Sequence, residues 1–296
     1  MDRKKKGLFV GLCTKDILYY TDELPSHNHK SKTEDFATYI GGPAANAAIT
    51  YAALGGDATL ATCLGDSTES RAMIEELKEY GVQVLNFSEY ETLPNTACIV
   101  VSSDGKRTIL SGQHRFEVNW AYDLSGYDFV LFDCNQQEIS LDILSGLDAA
   151  EGKGAARKPI VLDAGSFKPN IEKFLKRADI VIASEDFKDE AGHTVFEMEC
   201  NAAHKAMTRG EKPVLYRRAE NEPGDCDDLK GNKVKELPVE PVAAVDTLGA
   251  GDIFHGAFCY GYFEQKYSCE EALRFAGEVA SESVKYRGPR EWIKHR

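Results

Sequence analysis

Six short apolar runs recur along this chain: GLFVGL (7–12), ATLATCL (58–64), DFVLFDC (128–134), PIVLDA (159–164), DIVIAS (179–184) and PVLY (213–216). Between several of them lie segments of helical period, PAANAAITYAAL (43–54), SRAMIEELKEYG (70–81) and LDILSGLDAAEG (141–152). Strands that alternate with helices pair side by side in a parallel sheet, with the helices crossing over its two faces. The core runs are apolar throughout rather than alternating, as strands covered on both faces must be. A length of 296 residues fits one α/β unit over 1–296 with an appendage better than two equal domains.

Two stretches break the alternation, TDELPSHNHKSKTEDFATYI (21–40) and PNTACIVVSSDGKRTILSGQ (94–113). Both read as extended, and Asp104-Gly105 in the second is a two-residue hairpin signal. They predict one small antiparallel sheet, built from about 13–40 and 94–118 and standing off the main body. Such a flap can cover a ligand at the carboxyl ends of the parallel strands, although it can equally be decoration. Asn221 to Asn232 reads as a polar surface loop.

The formal net charge is −13. Its field repels nucleic acid and anionic membrane, so neither is expected as a partner. No apolar run nears the roughly 20 residues of a bilayer span, and GLFVGL after the basic MDRKKK is too short for a signal peptide. The eight cysteines form no C-x-x-C pair, which fits reduced thiols in a cytoplasmic protein. An anionic substrate would meet the same repulsion, so a phosphate site has to be built locally from N–H groups, Lys or Arg, and a divalent cation.

One stretch has the makings of such a site. In VDTLGAGD (245–252) the small residues Gly249, Ala250 and Gly251 precede Asp252 and the helical pattern IFHGAFCYGYF (253–263). Small residues at a helix N-terminus leave N–H groups and the positive dipole end open to an anion. Asp252 could then take the proton of a hydroxyl approaching that anion, which is the chemistry of phosphoryl transfer. Taken alone, the stretch reads more simply as a tight turn capped by an acid. A second group is GGPAANAA (41–48), followed by Gly55 and Gly65, where Asn46 offers a sugar both a donor and an acceptor. Asp16, just past the first strand, adds a carboxylate at a strand's carboxyl end. One sheet gathers all three at one edge, as a binding site requires.

These two stretches, in this order and spacing, resemble the two signatures of the ribokinase-like (PfkB-type) carbohydrate kinases, and the resemblance spans nearly the whole chain. It implies a three-layer α/β/α sandwich with a central, mostly parallel sheet and a β lid. It also implies ATP as donor, Mg²⁺ and frequently a monovalent cation such as K⁺, while exposed edges and apolar faces of the lid such as CIVV (98–101) invite pairing in a homodimer. Carried over by position, Asp252 is the general base and Gly249, Ala250 and Gly251 form the anion hole, with Thr247 beside the nucleotide. Asp16, Gly42 and Asn46 hold the sugar. Within the family the chain most resembles the ketohexokinase and sulfofructose kinase branch, through GGPAA around Pro43, GAGD-x-FHGA through Ala257, and Ser184-Glu185-Asp186.

Two departures stand out. Most relatives carry N-x-x-E where this chain has Ser184 and Phe187, so Glu185 or Asp186 would hold Mg²⁺, unless they are merely acids at a helix start. The family's T-x-G nucleotide turn is expected after PVLY, where Tyr216-Arg217-Arg218-Ala219 stands instead, and Arg217 could bind phosphate in its place. Lys168, after the fourth core run, reads as a phosphate partner or a surface lysine; Arg115, beside His114, as a substrate contact or a loop cation. His255 reads as a packed histidine one turn from Asp252. The activity this implies is phosphorylation of a small sugar, a ketose such as fructose, at a primary hydroxyl. The alternatives are a nucleoside kinase, with a base slot from Tyr39, Phe116 or Trp120, and a silent regulatory subunit.

Overall fold

The computed structural model describes residues 3–296 apart from 29, 34, 89, 104–106, 113, 115, 117–121 and 220–232. Its elements in chain order are β1 (Lys6–Val10), β2 (Thr14–Thr21), β3 (Phe36–Gly41), α1 (Pro43–Ala53), β4 (Asp57–Thr62), α2 (Thr68–Glu79) and β5 (Val82–Asn86). Then come β6 (Thr96–Ser102), β7 (Arg107–Gly112), β8 (Phe129–Phe132), α3 (Gln137–Gly152), β9 (Ile160–Ala164), α4 (Ile171–Arg177) and β10 (Ile180–Ser184). The last are β11 (His204–Arg209), β12 (Lys212–Arg218), β13 (Lys235–Leu237), α5 (Ala250–Cys259) and α6 (Cys269–Ser283).

Among the described residues the main sheet has nine strands, in the order β13-β12-β11-β10-β9-β8-β1-β4-β5. Every pair from β11 to β5 is parallel, and β12 and β13 are antiparallel. The apolar strands alternate their side chains between two cores. Phe9, Phe129 and Leu131 point to the helices α1, α2, α5 and α6, while Leu8, Val10, Val130 and Phe132 point to α3 and α4. These three layers match the predicted sandwich. Phe9, Tyr51 and Phe129 meet with ring centroids 5.4–5.8 Å apart, and burial of each such ring contributes about 1.5–3 kcal/mol. No helix among the described residues is long and apolar enough to cross a membrane.

The sheet winds outward from β1, with β4 and β5 on one side and β8 to β11 on the other. This is a topological switch point, where the loops beyond the strand ends part and leave a crevice. Into it run the links from β1 to β2 and from β3 to α1. Pro43 opens α1, where a missing N–H costs nothing.

A second sheet has the order β3-β2-β6-β7. Its wholly antiparallel prediction needs correction: β2 and β6 run parallel, while β2–β3 and β6–β7 are antiparallel. The passage through α1, β4, α2 and β5 carries the chain back to the end where β2 began, so β6 enters in the same direction. The Asp104-Gly105 turn and the loop 221–232 lie outside the described residues. PVLY also departs from expectation, since β12 runs against its neighbour β11. The strand before it, HKAMTR, is too polar to announce itself as an apolar run.

Helices α1 and α5 approach closely at Gly256, where an added Cβ would run into the Ala47 carbonyl and lie 2.7 Å from Thr50 Cβ. Gly256→Ala is therefore expected to lower stability by about 1–3 kcal/mol through overpacking. Gly152→Ala, whose new methyl would meet nothing within 4 Å, should leave it unchanged or slightly raised. Thermal melts of the two variants side by side check the contact.

Candidate active site

At the crevice beside β1 the chain collects carboxylates on short, rigid tethers. Asp133, just past β8, is buried and accepts three backbone N–H groups. Its Oδ2 takes Leu12 at 2.9 Å and Ala44 at 3.0 Å, and its Oδ1 takes Asn135 at 2.8 Å. It thereby ties the end of β1 to the first turn of α1. Burial pushes its carboxyl up, and the N–H groups of Asn135 and Leu12 pull it back.

Gly42, the residue before α1, has φ 93, and a Cβ there would strike the Leu12 carbonyl. At Gly41 a Cβ would fall on the Asp16 carboxylate, so this glycine makes room for that acid. Asp16 lies at the start of β2 with 8% of its surface exposed and accepts from the Thr14 hydroxyl at 2.6 Å. Burial raises it to about 6, against the opposing effects of Thr14 and of the Arg290 charge.

Helix α5 begins after Gly249, which takes the left-handed conformation, φ 74. The Ala250 N–H turns back to the Thr247 carbonyl at 3.3 Å. Among the described residues, the N–H groups of Gly251 and Asp252 have no partner. A Cβ on Gly251 would meet nothing within 4 Å, so protein packing does not explain that glycine. The open space lies where two N–H groups and the helix dipole face outward.

Asp252, in the first turn, is half-buried and raised to about 7. Burial is the main cause and the charge of Asp163 on β9 the next; the hydrogen bond from Asn46 and the proximity of His255 oppose them. Asn46 Nδ2 donates to Asp252 Oδ2 at 2.6 Å. The other end of that amide accepts from Arg290 Nη2 at 2.5 Å, and a guanidinium can only donate, so the amide's orientation is set. Arg290 is buried, and its Nη2 also reaches the Ile40 carbonyl at 2.7 Å. His255 is packed, as expected: Nδ1 lies 2.7 Å from the Gly251 carbonyl, and Nε2 lies 3.3 Å from the Ile182 carbonyl and 3.5 Å from Asp163 Oδ1.

Gly42, Asn46, Asp252 and the Gly249–Gly251 turn are thus brought together, with Asp16 at the mouth of β2. Thr247 is exposed and accepts from Arg107 of β7 at 3.2 Å. Lys168 is half-buried, its ammonium 3.3 Å from the Ser166 carbonyl and its charge felt by Asp133. Ser184 ends β10 with its hydroxyl on the Gly165 carbonyl at 2.7 Å. Glu185 pairs with Lys212, both oxygens 3.2 Å from the ammonium, while Asp186 is exposed. Arg115 lies outside the described residues.

Arg217 requires a correction. Strand β12 continues through Arg218, and because it is antiparallel, Arg217 pairs with Lys205 near the start of β11, at the end of the sheet opposite the crevice. Its guanidinium donates to the Phe196 carbonyl at 2.6 Å and stands 5.3 Å from that ring. The T-x-G pattern lies instead at Thr208-Arg209-Gly210, where β11 ends and Gly210 has φ 62. Three members of the site go unmarked in the sequence, namely Asp133, Asp163 and Arg290. An acid closing an apolar run, as in VLFDC and IVLDA, is a usable signal for the first two.

A family model described as pfkB family carbohydrate kinase matches residues 4–296. The chain is similar to a ribokinase of Bacillus subtilis, 27% identical over 93% of this chain and 91% of that one. It is also similar to a ketohexokinase of Mus musculus, 24% identical over 96% and 98%. Among solved structures, a ribokinase of Cryptococcus neoformans in complex with ADP superposes with a TM-score of 0.76 at 20% identity, covering 99% and 97%.

Asp16 supplies a test of this electrostatics. Its folded value, about 6, exceeds the ordinary aspartate value of 3.8. The folded state therefore holds the proton more tightly, and stability falls as pH climbs from about 4 to 6. Asp16→Asn removes that loss, so above pH 6 denaturant titration should show it about 1–2 kcal/mol more stable than the parent, with the gain vanishing near pH 4.

Proposed function

The chain belongs to the pfkB family of carbohydrate kinases, and from that premise we propose that Asp252 is the general base for ATP-dependent transfer of a phosphoryl group to a sugar hydroxyl. The observation that carries this reading is the half-buried carboxylate raised to about 7 beside two unpartnered N–H groups at the start of α5. A base works best when its proton affinity lies near the working pH. The N–H groups and the helix dipole stabilise charge growing on the phosphoryl oxygens. The hydroxyl's proton passes to Asp252 as its oxygen attacks phosphorus, and ADP leaves.

Asp16 and Gly42 are proposed to hold the sugar. Asn46 has a second role here, because its amide donates to the base itself. Lys168, Ser184 and the Thr208-Arg209-Gly210 turn, at the carboxyl ends of neighbouring strands, and Thr247 in the loop before α5 are proposed to receive the nucleotide. Among the described residues no group of three or more His, Cys, Asp or Glu is arranged to hold a metal. That fits Mg²⁺ carried in mainly by phosphates and water, with exposed Asp186 as the acid to hold it, since Glu185 is taken up by Lys212. When bound, the ion supplies charge neutralisation at the phosphates. Asp246, beside the anion turn, accepts from the N–H groups of Leu248 at 2.9 Å and Gly288 at 3.0 Å, and no potassium ion enters this reading.

The sugar is proposed to be a ketose such as fructose, as in the ketohexokinase relative. The ribokinase relatives support ribose as a second reading. A nucleoside finds less support: Tyr39 packs among the small-sheet residues and Phe116 against the α3–α4 core. The small sheet is proposed to act as the lid of a single unit. Its outer strand β7 is exposed along its whole length, with Leu110 71% exposed, and this favours pairing of two lids in a homodimer. The seven described cysteines are free, in keeping with a cytoplasmic setting.

ADP release over ketoses, aldoses and nucleosides should single out one sugar; no turnover with any would reject the assignment. Asp252→Asn should lose roughly 10²–10⁴-fold in kcat with ATP affinity retained. Because the base acts unprotonated, kcat/KM should rise with pH and level off above about 7 in the parent, and that limb should be missing in the variant.

A further inference from the structure

Four consecutive residues after α6, Arg287-Gly288-Pro289-Arg290, touch each part of the site. The Arg287 guanidinium lies 3.6 Å over the Tyr20 ring of β2 and pairs with Asp35 in the link to β3. The Gly288 N–H holds Asp246, and a Cβ on Gly288 would come within 2.6 Å of the Tyr39 hydroxyl on β3. Pro289 Cβ lies 3.4 Å from the place a Cβ on Gly249 would occupy. Arg290 ends the run inside the protein on the Asn46 amide.

We infer that Arg290 is a positioning residue for phosphoryl transfer: by capturing the Asn46 carbonyl it aims the amide's NH₂ at Asp252 and joins the base to the turn that carries the small sheet. The inference rests on Asp252 being the base. An amide has two nearly isosteric ends. With no donor on its carbonyl side, Asn46 is free to rotate and set that oxygen against the Asp252 carboxylate, which loses its hydrogen bond and its fixed direction. The surroundings leave few substitutes. Asp252 faces Asp163 from β9, Asp133 from beyond β8, His255 on its own helix and Asn46 on α1. Arg290 faces Glu76 of α2 and Tyr80 just past its end, Asp16 of β2 and Asp252. It is therefore a buried cation shared by the proposed sugar-binding acid and the base.

Arg290→Met and Arg290→Lys, made in the full chain and checked for folding by thermal melting, test this. The readout is the ¹³C carboxyl titration of Asp252, identified as the resonance missing in Asp252→Asn. Its midpoint should move up by about one pH unit in Arg290→Met and by less in Arg290→Lys. Adding Arg290→Lys to Asn46→Ala should move it little further, because lysine keeps the charge and both changes act through one hydrogen bond. With D-fructose or D-ribose as acceptor, kcat should fall roughly tenfold or more while KM for ATP stays near the parent value. An unmoved midpoint in folded Arg290→Lys and Arg290→Met, or additive shifts with Asn46→Ala, would overturn the inference. If Arg290→Met does not fold, Arg290→Lys alone decides. Absence of turnover with every sugar in the parent would reject the kinase reading, while the titration would still judge the link from Arg290 to Asp252.

Discussion

The first turns of α1 and α5 meet through one hydrogen bond, Asn46 to Asp252 at 2.6 Å, and the crevice takes its form from that meeting. The two helices can come so close only because Gly256 presents no side chain to the Ala47 carbonyl. Their N-termini then point toward the same end of the sheet, where the first N–H groups of α1 are taken by Asp133 and the Leu12 carbonyl, while those of Gly251 and Asp252 on α5, unpartnered among the described residues, face outward. Packing in the apolar layer and chemistry at the rim are in this sense one constraint. A shift of α5 along α1 would separate the amide from the carboxylate before it opened a cavity.

The charge distribution follows from the same geometry. A chain of net charge −13 gathers Asp16, Asp133, Asp163 and Asp252 around one crevice and keeps them from simply repelling one another by giving each a distinct partner. Asp133 is satisfied by backbone N–H groups, Asp16 by a hydroxyl, and Asp252 by an amide. Asp163 has an imidazole 3.5 Å away. Fixed donors of this kind stabilise a carboxylate without leaving loose cations that would bind passing anions indiscriminately. Lys168 and Arg290 add positive charge from either side, the second from a position solvent barely reaches.

The sheet was largely legible because doubly covered strands must be apolar, and α1, α2 and α3 begin and end within a few residues of their periodic segments. The Gly-rich stretches were legible because glycine is required at close approaches, whatever lies around them. Legibility failed wherever the decisive partner is remote in sequence. Strand β11 is polar at its ends and does not stand out in the sequence, so the T-x-G turn lies one strand earlier than expected, and Arg217 falls at the end of the sheet away from the crevice. Arg290 reads as one more basic residue of a surface segment, and only the folded chain sets it against Asn46, 244 positions away. The parallel join of β2 and β6 is similarly non-local, since strand direction is decided by where the intervening chain returns.

One consequence follows from the carboxyl at the start of β2. Asp16, poised at about 6, is still partly protonated in slightly acidic solution. If Asp16 holds the sugar as proposed, a polyol offering it hydroxyl donors would select the ionised form, and its arrival would expel a fraction of a hydrogen ion into the buffer. Affinity for an uncharged sugar would then acquire a pH dependence that belongs to the protein alone, and the heat of association would depend on the ionisation enthalpy of the buffer that collects what is released.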